Sequence, residues 1–298
     1  MRILSRFLLL SALLSFGAIV IAKTPDGKPL VVLIADKPSY EDGPGGHEAN
    51  AGVLLFAKAL AQGAPNVVTI VHLNDDWPSA EELDQADTIL LYCDNGGKFL
   101  SKGNRLEQMT KEMNRGAGFI ALHYTLAMGD IATQAFEWLG GFKQPDWSVN
   151  PAWQAHYNSL PKHAVTQGVH PFVSYDEWYF HMRFTEGPGK LTPVLVDVPP
   201  VDSLSSACCE YASNPTVLSE LQAHKPQTMA WVFERPGGGR SFGFTGGHYH
   251  RDWIYDEKRK LLLNAILWTA KVPIPRDGVE SRLTQEDIEA NLDPKPCK

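Results

Sequence analysis

The chain is poor in cysteine, lacks clustered basic charge and, past its first two dozen residues, has no long apolar run. Each shortage excludes something. The four cysteines, Cys93, Cys208, Cys209 and Cys297, have no metal-site spacing, which removes thiolate zinc sites of the finger or ribbon type. Four cysteines permit three complete disulfide pairings that sequence does not rank. Cys93 closes an apolar run and reads as a small buried residue, and Cys208 or Cys209 is a candidate partner for Cys297. Without a basic run there is no footprint for the phosphate neutralisation on which nucleic-acid binding depends. No later stretch is apolar enough to span a bilayer. The chain has no internal repeat, and the glycine-rich segment from Arg235 to Gly239 lacks the Lys-Ser/Thr of a phosphate loop.

What is present begins at the N-terminus, where Arg2 and Arg6 precede an uncharged apolar segment from Phe7 to Ala22. This is the plan of a secretory leader with cleavage after Ala22. An uncleaved anchor is the alternative, although the segment falls short of the ~20 residues of a comfortable span. No cysteine follows it, which argues against a lipid anchor. The expectation is an exported protein, periplasmic or secreted, without stable membrane insertion once the leader is gone. The whole chain carries 27 basic and 34 acidic residues, and losing Arg2 and Arg6 leaves 25 against 34, a balance of −9. Such a body suits small neutral or cationic ligands rather than nucleic acid. Residues 1–22 therefore read as leader, 23–29 as polar linker, 30–272 as one α/β domain and 273–298 as an extended tail. Composition is silent on oligomeric state.

Apolar runs at Leu30–Ala35, Val67–Leu73, Thr88–Cys93 and Gly118–Tyr124 have strand length and alternate with helical patterns. That alternation implies βαβ units and a parallel sheet covered by helices on both faces. Ser79 is placed to cap a short acidic helix, and Gly116 to stop the helix from Asn104 to Arg115. Gln227–Phe233 and Arg240–Thr245 predict a hairpin, Thr192–Val198 another strand, and Tyr255–Val272 a closing helix. The segment from Trp138 to Trp153, dense in Trp, Gly and Pro, reads as irregular.

Histidines stand at several of these strand ends. His47 follows Gly45-Gly46, His123 terminates the fourth strand, and Gly246-Gly247 breaks into His248 and His250. Open α/β sheets place their chemistry at the carboxyl edge of the strands, so these side chains are expected to converge there. Alternate residues of an extended segment point opposite ways, so only one of His248 and His250 is expected to enter the site. His72, His156, His163, His170, His181 and His224 read as structural or surface residues.

Four segments together, Gly45-Gly46-His47-Glu48, Ala121-Leu122-His123-Tyr124, Asp176-Glu177-Trp178-Tyr179 and Gly246-Gly247-His248, resemble the ThuA-like (trehalose-utilisation) family, and the resemblance runs from Leu30 to Leu292. It implies a flavodoxin-like fold related to class I glutamine amidotransferases, and an association with disaccharide catabolism through 3-keto-sugars. The family motif favours Glu177 over Asp176 as the functional acid. The amidotransferase relatives carry a nucleophilic cysteine at the turn after a strand such as Gly118–Tyr124; this chain has none there, so thiolate acyl transfer is excluded at that position.

His47, His123 and His248, with the Glu177 carboxylate, form a donor set suited to Zn²⁺ or a similar divalent ion. Glu177, His123 and Tyr179 are the candidate catalytic groups. Trp147, Trp153, Trp178 and Tyr179 offer an apolar platform for a sugar, with Asn150, Arg183, His250 and Asp252 as hydroxyl-binding or orienting residues. The expected activity is a metal-assisted lyase or hydrolase acting on 3-keto-glycosides or related oxidised disaccharides. The alternatives are a non-catalytic carbohydrate-binding pseudoenzyme on the same scaffold and a metal-dependent ester or amide hydrolase. A glycosidase with two acidic catalysts is disfavoured, because no partner for Glu177 stands out.

Overall fold

The computed structural model describes residues 26–39, 43–204 and 213–295. The predicted leader, Cys208, Cys209 and Cys297 lie outside the described residues, and Cys93 is a free, buried thiol. No helix among the described residues is long and apolar enough to cross a membrane.

In chain order the elements are β1 (Leu30–Ala35), α1 (Ala49–Gly63), β2 (Val68–His72), α2 (Ala80–Gln85), β3 (Thr88–Tyr92), α3 (Gly96–Leu100), α4 (Arg105–Arg115) and β4 (Gly118–Leu122). There follow α5 (Ala132–Leu139), β5 (Gly141–Phe142), β6 (Ala152–Tyr157), β7 (Phe172–Glu177), β8 (Arg183–Phe184), β9 (Lys190–Asp197), α6 (Pro215–Gln222), β10 (Gln227–Glu234), β11 (Arg240–Phe244), α7 (Asp256–Thr269) and α8 (Gln285–Glu289). The central sheet has seven strands in the order β2-β1-β3-β4-β11-β10-β9. Its first five are mutually parallel, and β10 and β9 extend it antiparallel. Taken by position, the parallel part has the 2-1-3-4-5 order of a flavodoxin-like doubly wound sheet. The expected fold class is thus observed.

Alternation along the strands explains the two apolar layers. Val31, Leu33 and Ala35 face a core shared with Val53, Phe56 and Leu60 of α1 and Leu262, Ile266 and Leu267 of α7. Leu30, Val32 and Ile34 face the opposite core, with Met109 and Met113 of α4 and Trp138 and Leu139 of α5. A strand buried on both sides is apolar along its length, as β1 and β4 are, and β3 departs only at Thr88, whose buried hydroxyl is paired with that of Thr269 at 2.9 Å. The local stops act as read: Ser79 and Glu82 form a reciprocal capping box on α2, and Gly116 ends α4 in the left-handed conformation.

Two expectations fail. The segment reading as irregular carries the last two residues of α5, the short β5 and, at its end, the start of β6. β6 pairs antiparallel with β7 in a two-stranded ribbon outside the main sheet, its residues alternating between buried Trp153, Ala155 and Tyr157 and exposed Gln154 and His156. The predicted extended tail is instead folded onto the domain: Val279 and Ile288 are buried, α8 starts at a Thr284 capping box, and the Lys295 side chain is fully enclosed. Its apolar residues complete the layer around α1 and α7, which is why it packs.

Candidate metal centre

Four adjacent carboxyl ends of the sheet open into turns that carry polar side chains toward one point. His47 lies in the loop after β1, Asp94 follows β3, His123 follows β4 and His248 follows β11. Glu177 comes from outside the sheet, at the end of β7. His47, His123, Glu177 and His248 each present one donor atom, and these atoms lie within 4.8 Å of one another.

The hydrogen bonds decide which nitrogens face the centre. His123 Nδ1 is 2.7 Å from the Thr245 carbonyl oxygen. A carbonyl only accepts, so Nδ1 carries the proton and Nε2 of the neutral ring keeps its lone pair. His47 Nδ1 faces the Asp94 carboxylate at 2.9 Å, which by the same logic leaves its Nε2 as the acceptor. Those two Nε2 atoms stand 3.0 Å apart, and Glu177 Oε2 is 3.3 Å from His123 Nε2 and 3.5 Å from His248 Nδ1. Two lone pairs and a carboxylate oxygen turned toward one another are a donor arrangement that a cation would bridge. A tetrahedral ion with bonds of ~2.0–2.1 Å has ligand-to-ligand edges of about 3.3–3.4 Å, and the 3.0–3.5 Å separations match them. The residues therefore fit a divalent ion, with Asp94 and the Thr245 carbonyl fixing the imidazoles from behind in the manner of metal-site histidines.

The electrostatics agree. Burial pushes the His123 imidazole below its ordinary range, and the neighbouring Glu177 carboxylate only partly offsets it. Burial would raise the Glu177 carboxyl, but the hydrogen bonds and positive charge that His123 and His248 offer when protonated hold it well below the usual carboxylate range, the stabilisation a cation between them would supply instead. Asn150 Nδ2 donates to Glu177 Oε1 at 3.1 Å, which orients the carboxylate. Burial, with the Glu177 charge adding to it, keeps the Tyr179 phenol protonated, and its oxygen is 3.0 Å from His123 Nε2.

Local backbone strain accompanies the site. His47 and His123 both adopt left-handed φ, 47° and 51°, which costs a side-chain-bearing residue on the order of 1–3 kcal/mol and persists only where surroundings enforce it. The His248 turn is enforced by Asp176, whose carboxylate accepts from the amides of Gly247 at 2.7 Å and His248 at 3.1 Å and is paired with Lys258 at 2.5 Å. A side chain at Gly246 would strike the Trp178 ring and Asp176, and Gly247 has φ 108°. Both glycines are required. Asp176 and Glu177 point to opposite sides of β7, so the first builds the turn while the second enters the centre.

Several sequence-predicted binding residues are placed elsewhere. Trp178 is fully buried and packs edge-on against Tyr157 and Phe244. Trp153 is also buried, its indole N–H donating to the Trp178 carbonyl. Trp147 stacks on His181, ring centroids 4.3 Å apart, and on the Arg183 guanidinium at 3.6 Å. Trp147 and Arg183 line a separate cavity of about 350 Å³ with Glu220 and Lys225. His250 is buried beside Glu48 and the backbone of Ile288, and burial lowers its imidazole to about 4. None of these offers a sugar platform at the centre; Asn150 and Tyr179 do reach it.

Three neighbours escaped sequence reasoning. Asp94 stood in a strand-end turn, the same signal that marked His123. The Tyr124 ring lies 5.8 Å from the His47 ring, centroid to centroid. Lys143, only 4 % exposed, holds its ammonium 5.5 Å from the Tyr124 ring and 5.3 Å from the Tyr179 ring. Tyr124 and Lys143 line a cavity of about 230 Å³ with Asn95, Lys98 and Asp130, and Tyr124 links it to the histidine cluster through His47.

Comparison with known proteins settles the lineage. The family model described as ThuA, trehalose utilisation, matches residues 32–269. The chain belongs to the ThuA family. That membership ties it to sugar metabolism. Among solved structures it is similar to a ThuA-like protein from Bacteroides uniformis, with 16% identity over 81% of this chain and 91% of that one and a TM-score of 0.57. A ThuA-like protein from Parabacteroides merdae has 14% identity, covering 89% of this chain and 100% of that one, with a TM-score of 0.53. A protein described as cytoplasmic, from Salmonella typhimurium, has 13% identity over 80% and 98%, with a TM-score of 0.51. At these identities the likeness is one of ThuA fold. No curated protein sequence matches it.

Proposed function

We propose that this ThuA protein is an exported, metal-assisted lyase or hydrolase acting on 3-keto-glycosides. The observation that carries the reading is the convergence of His47 Nε2, His123 Nε2, a His248 nitrogen and Glu177 Oε2 within 4.8 Å, at the strand-end crevice where doubly wound sheets bind ligands. A divalent ion held there supplies Lewis acidity to a substrate carbonyl oxygen.

The protein's own groups divide the remaining work. The cavity beside Tyr124 and Lys143 receives the oxidised sugar ring, in place of the tryptophan platform that sequence had favoured. The Lys143 ammonium faces it as a positive group for the oxyanion that develops at C3 when C2 loses its proton. Glu177, ionised and oriented by Asn150, lies beside the three imidazoles that would hold the ion and is the base at C2. Tyr179, protonated, gives its proton to the departing oxygen at C1. The C2–H and C1–O bonds break and a C1–C2 double bond forms; water adding back, hydroxyl to C1 and hydrogen to C2, completes a net hydrolysis. The pseudoenzyme alternative loses its support, since the tryptophans it requires are buried or already stacked.

The test is incubation of the zinc-loaded protein with a 3-keto-glucoside in D₂O. Release of the aglycone with deuterium at C2 supports the reading. Failure to turn over with zinc, manganese, cobalt or nickel, beside hydrolysis of a simple ester or amide, would replace it with the conventional hydrolase.

A further inference from the structure

We infer that the C-terminal segment is a working part of the metal centre: Lys295 and the backbone of Asp293 clamp Glu48 and thereby hold the left-handed turn that presents His47. The inference rests on the metal reading for its affinity readout only; the clamp itself is tested separately.

The three imidazoles are not secured alike. His123 follows directly from a central strand, and His248 from its parallel neighbour, with Asp176 fastening the turn. His47 lies twelve positions beyond β1, in a glycine-rich loop with a strained backbone. What holds that loop is a buried network. Glu48, fully enclosed, accepts the Gly45 amide at 3.0 Å on one oxygen and the Asp293 amide at 2.8 Å on the other. The Lys295 ammonium, its side chain likewise without exposure, is 3.4 Å from Glu48. It also donates to the carbonyl oxygens of Gly46 and, at 3.3 Å, of His47 itself. Asn50 ties the same corner by donating to the Asp293 carboxylate at 3.2 Å. From the other side, the His47 amide donates to the His248 carbonyl at 3.0 Å and the His250 amide to Gly45 at 2.9 Å.

Charge and geometry make the clamp specific. Carbonyl oxygens turned outward by a left-handed turn are buried here and need donors, and a single ammonium satisfies two of them while neutralising Glu48. Removing the ammonium leaves a buried carboxylate and two buried carbonyls short of a partner. The loop then relaxes toward ordinary backbone geometry, which turns His47 Nε2 away from the other donors. His250, taken from sequence as a sugar ligand, belongs to this packing beneath the tail.

Three full-length variants test it: Lys295→Met, which keeps the stem and removes the charge, Glu48→Gln, and the two combined. Zinc affinity is measured by competition with a chromophoric chelator, and amide hydrogen exchange by mass spectrometry. The expected result is a zinc dissociation constant raised roughly 10- to 100-fold, the usual cost of losing a group behind a ligand. Exchange accelerates in peptides spanning 43–50 while β3 and β4 keep wild-type protection. Wild-type affinity together with wild-type exchange at 43–50 in Lys295→Met would overturn the clamp. Should either single variant fail to fold, the double variant, which carries no unpaired buried charge, is judged by the same two readouts. A wild-type protein that binds no zinc would refute the metal reading, and exchange at 43–50 would then decide the clamp alone.

Discussion

His123 and His47 contribute facing nitrogens to one site from supports of different kinds. His123 is fixed by the hydrogen-bond ladder of β4, by a core in which it is wholly buried, and by the Thr245 carbonyl behind its ring. His47 is fixed by side chains: Asp94 behind the ring, Glu48 and Lys295 under the loop. A strand end is positioned by the same interactions that fold the domain, so it is robust and visible in the apolar pattern. A loop position needs dedicated partners that can be lost one at a time without unfolding the sheet.

The largest effect falls on the sheet side. Asp176→Ala strips the acceptor from the Gly247 and His248 amides and strands the buried Lys258 ammonium. We expect a loss of ~3–5 kcal/mol in denaturant unfolding, with zinc binding lost alongside it. A change under 1 kcal/mol would mean the His248 turn is self-supporting. Next comes ligand removal. His123→Ala and His47→Ala should each abolish stoichiometric zinc, but thermal unfolding should fall more for His123, which is packed in the core. Equal destabilisation would erase the contrast between the two supports.

A smaller effect is expected at Asn150, whose side-chain amide donates to Glu177. Asn150→Ala should weaken zinc or slow turnover by about 10-fold with unfolding within ~1 kcal/mol of wild type. The smallest concerns the aromatic residues that sequence placed in the site. Trp147→Ala should leave zinc affinity and turnover unchanged, because the indole belongs to the cavity of His181 and Arg183. A rise in KM would return it to the substrate pocket.

These predictions also mark what was legible beforehand. β1, β3 and β4 could be read because a strand covered on both faces is almost wholly apolar, His123 because it interrupts such a run at its carboxyl end, and His47 and His248 because glycine pairs precede them. Glu177 was named from the family motif, and its direction follows only from the pairing of β7 with β6. The β6 alternation of Trp153, Ala155 and Tyr157 was there to be seen, but the Gly, Pro and Trp content before it suggested an exposed loop. Lys258 and Lys295 could not be read as buried. Each is enclosed against a carboxylate, and Asp176 and Glu48 are 82 and 247 residues away along the chain. Contacts across such separations have no local signature.

The central claim is that the three imidazoles, with Glu177 beside them, hold a divalent ion, and elemental analysis of the folded protein after dialysis against limiting zinc tests it most directly, beside His123→Ala treated identically. The account predicts close to one zinc per chain in the wild type and almost none in the variant. Zinc absent from both, or retained equally in both, would contradict it.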